Sequence, residues 1–442
     1  MKIHSEPVSS VVQKASVTFD AKECEGAQLS VLKRLQATAT LPGFRKGKVP
    51  FELLKQRLGD GLEAEIRQEL LQRALRQIRD EQPSLKIVSV TKADVSDKDK
   101  GRLLETEFEV APQLTLPDYK NFPLEPMNIV VSEEEKTAFI DRLRKQHATY
   151  ETVERAVQSK DYVKLSYEGT VDGNPIQSYG NVPSLWGKQT GTWEEADAKD
   201  GFGIPEIVSG LVGLKAGDEK DIAVHFPEDF AVEALRKKEG TYHVSVLEVR
   251  EVKLPPLDEE LFKKLQVKDA EQLTSFAEAS IRRQKEYEYA SEQKQRIADF
   301  LIQSVTSDLP PTWIKNTTNK VLREMVNLFS AHGVKSEEME AQKEDLHEKA
   351  RTIAIDRVKL NLCFEKIFEE EKLKLESHDF DPIILQESRS LRIPPKQLVQ
   401  KIQQDEALRE DIRMKAFQAK MINWLFVLLF RKAHPNTETS AS

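Results

Sequence analysis

The chain has 442 residues, of which 39% are hydrophobic and 32% charged, and 66 basic against 74 acidic side chains leave a formal charge of −8. That length allows about two to four domains, and the acidic balance excludes nucleic-acid binding by net charge, so any contact with RNA must come from a local basic patch. The two cysteines, Cys24 and Cys363, lie far apart and exclude both a disulfide framework and a thiol-built zinc site. The longest apolar run, Trp424 to Phe430, falls far short of the ~20 residues of a membrane span. The opening residues lack the ~7–15-residue apolar core of a secretory signal. A soluble, multidomain protein of a reducing compartment is expected, with no membrane partner.

Glycine divides the chain. Residues 1–159 hold 6 of the 18 glycines, residues 160–240 hold 11, and the part after residue 254 holds one, Gly333. Glycine marks turns, so a turn-rich β unit is expected in the middle and a nearly all-helical part after it. In the first part, residues 15–19, 86–90 and 104–110 read as strands. In the last of these, Leu104, Thr106, Phe108 and Val110 alternate with glutamates, which places the apolar side inward and the glutamates in solvent. Leu62, Ile66, Leu70, Ala74 and Ile78 recur every four residues and predict a helix ending near residue 82. A shorter helix from about Phe51 precedes it, with Gly59 and Gly61 as the break. Prolines at 117, 123 and 126 predict an extended, stiff connector. Ser132, with Glu135 three residues on, forms a capping-box signature for a helix over residues 132–147.

In the middle part, Val163, Leu165, Tyr167 and Val171 alternate and lead into Asp172-Gly173, a strong hairpin signal. Ile222, Val224 and Phe226 alternate again, as do Tyr242, Val244 and Val246, predicting one small antiparallel sheet that closes at residues 253–256. Beyond it, helical runs are separated by residues 309–311, Gly333, 379–382 and 393–395, breakers that belong between helices. The apolar sets expected on helix faces are Leu273, Phe276, Ala277 and Ile281; Ile297, Phe300, Leu301 and Val305; Val321, Met325, Val326, Leu328 and Phe329; and the run from Ile353 to Ile367. The polar tail, residues 436–442, is expected to be disordered. The eight histidines form no ligand spacing, so neither a metal nor a cofactor is expected. No phosphate-cradling loop motif occurs, so nothing should depend on ATP hydrolysis.

The most specific short motif is Gly43-Phe44-Arg45-Lys46-Gly47-Lys48-Val49-Pro50. Two glycines bracket an aromatic and two cations, and a proline ends the segment before the helix. Read from the residues, this is either an ordinary polar loop with Phe44 tucked into local core, or a projecting turn that offers a guanidinium and an apolar anchor in one small area. The segment resembles the docking signature of bacterial trigger factor, Gly-Phe-Arg-x-Gly-x-x-Pro, with every fixed position present. The order of parts matches that family over essentially the whole chain. The resemblance implies a multidomain α+β fold: a ribosome-binding α+β head (1–115), a linker and helix (116–150), an FKBP-like antiparallel β domain (151–253), an all-α C-terminal domain with extended arms (254–435) and the tail. It implies that Gly43, Phe44, Arg45, Lys46, Gly47 and Pro50 dock beside the nascent-chain exit of the large ribosomal subunit.

Residues 161–173 also resemble the opening hairpin of FKBP-type prolyl isomerases, and residues 204–207 and 210–218 resemble that family's pocket floor. By that likeness the pocket positions are Tyr167, Ile176, Ile204, Ile207, Phe230 and Tyr242. The chain departs from the pattern at Ile176, where active members usually carry an aromatic, at Gln177, where an acid often stands, and at Glu206-Ile207 in place of Gly-Phe. The chemistry such a pocket performs needs no nucleophile, acid or metal. Rotating a peptide bond costs about 18–20 kcal/mol because it breaks amide resonance, and an apolar aromatic pocket favours the less charge-separated twisted state. Trp193 and Phe202 lie in a stretch, from Trp186 on, that does not align.

The expected function is that of a cytoplasmic, ATP-independent, ribosome-associated chaperone that binds nascent and unfolded chains and isomerises prolyl bonds. Two alternatives stay open: chiefly a free prolyl isomerase, or a pure holdase with an inactive isomerase unit. Self-association of the free molecule is also left open.

Overall fold

The structure is a computed structural model, and it describes residues 1–434 apart from 41–43, 46, 84, 99–100, 180–181, 199–203, 229, 231, 332–333 and 335. Gly333 and the tail therefore lie outside the described residues. The chain forms two compact units, one of residues 1–126 with 290–442 and one of residues 127–289.

The head begins with β1 (Lys2–Pro7), β2 (Val12–Phe19) and α1 (Ala21–Thr38), followed by α2 (Phe51–Leu58), α3 (Asp60–Glu81), β3 (Ile87–Lys98) and β4 (Gly101–Val110). The sheet is antiparallel in the order β1-β2-β4-β3. Val17, Phe19 and Leu104 on its inner face meet Ala27, Val31, Leu70 and Ala74 of α1 and α3. Gly59, at φ +44°, separates α2 from α3, whereas Gly61 lies inside α3. Sequence reading missed α1, which opens with a reciprocal cap between Asp20 and Glu23.

On β4, Leu104, Thr106, Phe108 and Val110 are buried as the alternation requires. Glu109 breaks the pattern, being buried at 2% exposure rather than solvated. Its carboxylate accepts hydrogen bonds from Thr312 N at 3.1 Å and from the Thr312 hydroxyl at 3.0 Å, and Ser89 donates to that hydroxyl at 3.1 Å. Thr312 stands in the first turn of a helix described below, where the unpaired N–H groups and the helix dipole favour an anion.

The second unit holds α4 (Glu133–Lys145), β5 (Thr149–Thr152), β6 (Tyr162–Val171), β7 (Asn174–Pro175), β8 (Lys188–Glu195), α5 (Pro205–Gly210), β9 (Glu219–His225), β10 (Glu239–Lys253) and α6 (Glu259–Leu265). Both halves of the Ser132–Glu135 capping box are made. Strands β5-β10-β6-β7 form the path of an antiparallel sheet, with β8 added to β6 and β9 to β10. Asp172 and Gly173 both take positive φ, as a tight two-residue hairpin demands. A register shift between Val246 and Glu248 bends the long β10.

The helical part comprises α7 (Ala270–Ser304), α8 (Pro311–Ala331), α9 (Ser336–Ala341), α10 (Lys343–Glu370), α11 (Asp381–Ser390), α12 (Pro395–Gln404) and α13 (Glu406–Ala433), with the boundary between the units falling within α7. Pro311, Pro382 and Pro395 all sit in first turns, where a missing N–H costs nothing. Ile297, Leu301, Phe364, Ile367, Met421 and Leu425 build its core. The connector after β4 is extended, yet it does not run free: Tyr119 is buried in this core, and Leu114, Leu116, Phe122 and Leu124 pack against it. Several residues of the apolar helix faces stay exposed, among them Phe276 at 50%, Ile353 at 41% and Leu328 at 57% exposure. Among the described residues, no helix is long and apolar enough to cross a membrane, and no group of three or more metal-ligating side chains gathers.

Replacing Glu109 with Ala should strand the Thr312 donors and cost about 1.5–3 kcal/mol, the range of a hydrogen bond to a charged group. In urea unfolding the first transition should move to lower denaturant, with Glu109→Gln intermediate. An unmoved midpoint would show that this contact carries no stability.

Candidate functional site

Three sets of residues invite a functional reading. The first is the loop before α2. Gly47, at φ +81°, allows the chain to reverse, and Lys48 N–H closes the turn on Arg45 O at 3.0 Å. The loop is pinned on its C-terminal side. Val49 is fully buried, its carbonyl accepts from Gln36 Nε2 at 2.6 Å, and Pro50 leads into α2. Phe44 stays 41% exposed and Arg45 is exposed, so Phe44 is not tucked into the core. Gly43 and Lys46 lie outside the described residues.

The second set is the middle-unit cluster. Tyr167, Ile176, Ile204, Ile207 and Tyr242 all belong to one buried core, and Phe230 packs against it half-buried. The structure thus brings all six residues together, but five are closed off from solvent. Gly169 makes the packing feasible: a Cβ there would come within 2.6 Å of both Ile176 and Tyr242. The two tyrosine rings meet edge to face at 5.9 Å. Their phenols donate to backbone carbonyls of a short turn, Tyr167 to Leu185 at 2.7 Å and Tyr242 to Trp186 at 2.6 Å. Burial pushes the Tyr167 phenol up to about 12, and burial, aided by Tyr167 and Glu206, raises Tyr242 further, so both remain neutral donors.

Trp186, set aside in sequence reading, proves central to the accessible edge. Its ring stands perpendicular to Phe230 at 4.7 Å, and Phe226 lies 4.9 Å from Phe230 and 6.2 Å from Trp186. Tyr179 and Val182 pack on the same cluster and keep partial exposure. Trp193 takes no part: on β8 it is flanked by the Arg250 guanidinium at 4.4 Å and the Lys164 ammonium at 6.0 Å. Phe202 lies outside the described residues. The signal that could have found Trp186 was its spacing from the aligned hairpin, since the turn that carries it must return to β6 through β8.

The third set flanks the packing of α10 on α13. Phe417 meets Phe364 at 6.4 Å and Phe368 at 5.3 Å. On one flank opens a hollow of about 780 Å³ whose apolar wall includes Phe368, Leu375, Phe380 and Met414, with Glu365, Glu369 and Glu410 among its polar residues. Burial pushes the Glu365 carboxyl above the usual range. On the other flank, beside α7, opens a second hollow of about 490 Å³. Open, partly apolar hollows can take up apolar side chains at roughly 25 cal/mol per Å² buried without demanding a fixed partner sequence.

Family models for bacterial trigger factor match at both ends of the chain: the N-terminal model over residues 1–143 and the C-terminal model over residues 269–427. The trigger factor of Opitutus terrae is 32% identical over 428 residues, covering 96% of this chain and 97% of that one. Trigger factors of Syntrophotalea carbinolica, 27% identical over 96% of this chain and 95% of that one, and Staphylococcus carnosus, 28% identical over 90% and 91%, are similar along nearly their whole length. A solved structure of the trigger factor chaperone aligns over 96% of this chain and 99% of its own at 20% identity, with a TM-score of 0.47. On the strength of its sequence relatives, the chain belongs to the bacterial trigger factor family of chaperones.

Proposed function

We propose that the protein is a cytoplasmic, ATP-independent chaperone that docks on the large ribosomal subunit through Gly43, Phe44, Arg45, Lys46, Gly47 and Pro50 and receives nascent chains there. In this reading residues 1–115 are the docking head, 116–150 a linker and helix, 151–253 an FKBP-like unit, and 254–435 the client-holding part. The observation that carries the docking role is an exposed Phe44–Arg45 tip held by a buried Val49: a stiff base presents one greasy and one cationic group together. Arg pairs with phosphate in a fixed fork, and such contacts weaken with salt. Replacing Phe44, Arg45 and Lys46 together with Ala should abolish co-sedimentation with ribosomes while leaving the circular dichroism spectrum unchanged. Unaltered co-sedimentation would remove the docking role.

The middle unit is proposed to bind prolyl segments and to isomerise them on the wall formed by Trp186 and Phe230, the aromatic edge that stays open. The uncatalysed step takes roughly 10–100 s, slow enough to limit folding. A second reading, binding without turnover, is favoured by the burial of Tyr167, Ile176, Ile204, Ile207 and Tyr242. A prolyl-peptide assay separates the two. If the unit is an isomerase, Trp186→Ala and Phe230→Ala should each slow turnover about tenfold, or ~1.4 kcal/mol in barrier. Turnover at the uncatalysed rate in the unaltered protein would leave the holdase reading alone.

A further inference from the structure

The hollow flanked by α7, α10 and α13 carries a charge that no ion pair among the described residues answers. Its walls combine Leu360, Phe364 and Ile422 with the cations Lys294, Arg357 and Lys415, and no carboxylate among the described residues lines it. Two of these cations are already satisfied. Arg357 pairs with Glu324 at 2.7 Å, and Lys415 pairs with Glu387 at 2.7 Å and Asp411 at 3.0 Å. Lys294 has no ion-pair partner among the described residues. Its ammonium lies 5.4 Å from the centre of the Phe426 ring, and burial alone pushes its pKa below the usual lysine range. A half-buried ammonium without a counter-charge is unfavourable, and an aromatic face offsets only part of that cost. A carboxylate arriving with a ligand would offset the remainder, while a second cation would be repelled. The hollow across the Phe417 packing has the contrary bias, with Glu365, Glu369 and Glu410 against Lys374 and Arg413.

We infer that the hollow between α7, α10 and α13 is a subsite for unfolded segments in which an aspartate or glutamate side chain adjoins a large apolar residue. Lys294 pairs with the carboxylate, and Leu360, Phe364 and Ile422 receive the apolar side chain. The subsite rests on the client-holding reading above and adds a charge preference to it.

The test uses the full chain and fluorescent decamers with blocked ends, identical but for Glu, Gln or Lys on either side of a central Phe. Anisotropy should give about tenfold tighter binding of the Glu peptide than of the Lys peptide, a difference of ~1.4 kcal/mol, and the preference should shrink in high salt. In Lys294→Met the preference should fall to within about twofold, a residual ~0.4 kcal/mol. In the unaltered protein, the Glu peptide alone should protect Lys294 from amine acylation read by mass spectrometry, a readout that does not depend on how the variant folds. Equal binding of the three peptides, a preference that survives in Lys294→Met, or absent protection of Lys294 would overturn the subsite while leaving client holding intact. A preference seen only with an unblocked C-terminus would overturn it in favour of chain ends. Failure of every peptide to bind would overturn the client-holding reading itself.

Discussion

The packing of α10 on α13 through Phe364, Phe368 and Phe417 is the contact that both hollows of the helical part flank. Aromatic side chains fill space with few rotatable bonds, and Phe417 of α13 meets both Phe364 and Phe368 of α10 edge to face. The two hollows are what that arrangement leaves beside the line of contact. A chaperone needs apolar surface that water reaches and that its own core does not collapse upon. Charged residues around each hollow serve that need, because burying them against one another would cost more than it returns. The charge bias differs between the flanks, so the two hollows present dissimilar chemistry.

The head belongs to the same compact unit as these hollows, and specific contacts tie them. Glu109 is buried against the first turn of α8, Lys86 pairs with Glu369 at 2.7 Å, and Ser10 donates to Asp308 at 2.6 Å. The first carries most of the weight, because it is desolvated and uses the helix start, whereas an exposed pair such as Lys86–Glu369 contributes at most about 1 kcal/mol. The connector of residues 112–126 adds apolar burial, with Tyr119 donating to Glu371 at 2.7 Å. The proposed docking tip and the proposed client hollows thus fall within one compact unit.

What could be read from the sequence was what local chemistry decides. Asp172-Gly173, Ser132 with Glu135, the alternation from Val163 to Val171 and the placement of prolines each act within a few residues, and the structure contains all of them. The misses have a common cause. Only Ala27, Val31 and Leu32 of α1 are buried, so its periodicity was too sparse to see despite a clear cap. β8 presents Trp193 to two cations instead of alternating cleanly. Glu109 sits where alternation predicts solvent, and only a helix over 200 residues later explains its burial. Likewise, periodicity placed Phe276 and Ile353 on apolar faces without saying which neighbour would cover them, and they stay largely exposed. In the middle unit the six positions named by resemblance do converge, but the aromatic edge that keeps partial exposure is the Trp186–Phe230 pair, carried by a turn outside the aligned segments.

The function proposed for the two hollows is a passive grip on unfolded chain with no energy input. The most direct measurement is light scattering from a chemically denatured protein diluted into buffer containing the full chain and no nucleotide. Scattering should be suppressed as the chain approaches equimolar amounts, and adding ATP should change nothing. Scattering that rises as fast as without the chain, or that falls only when ATP is supplied, would contradict it.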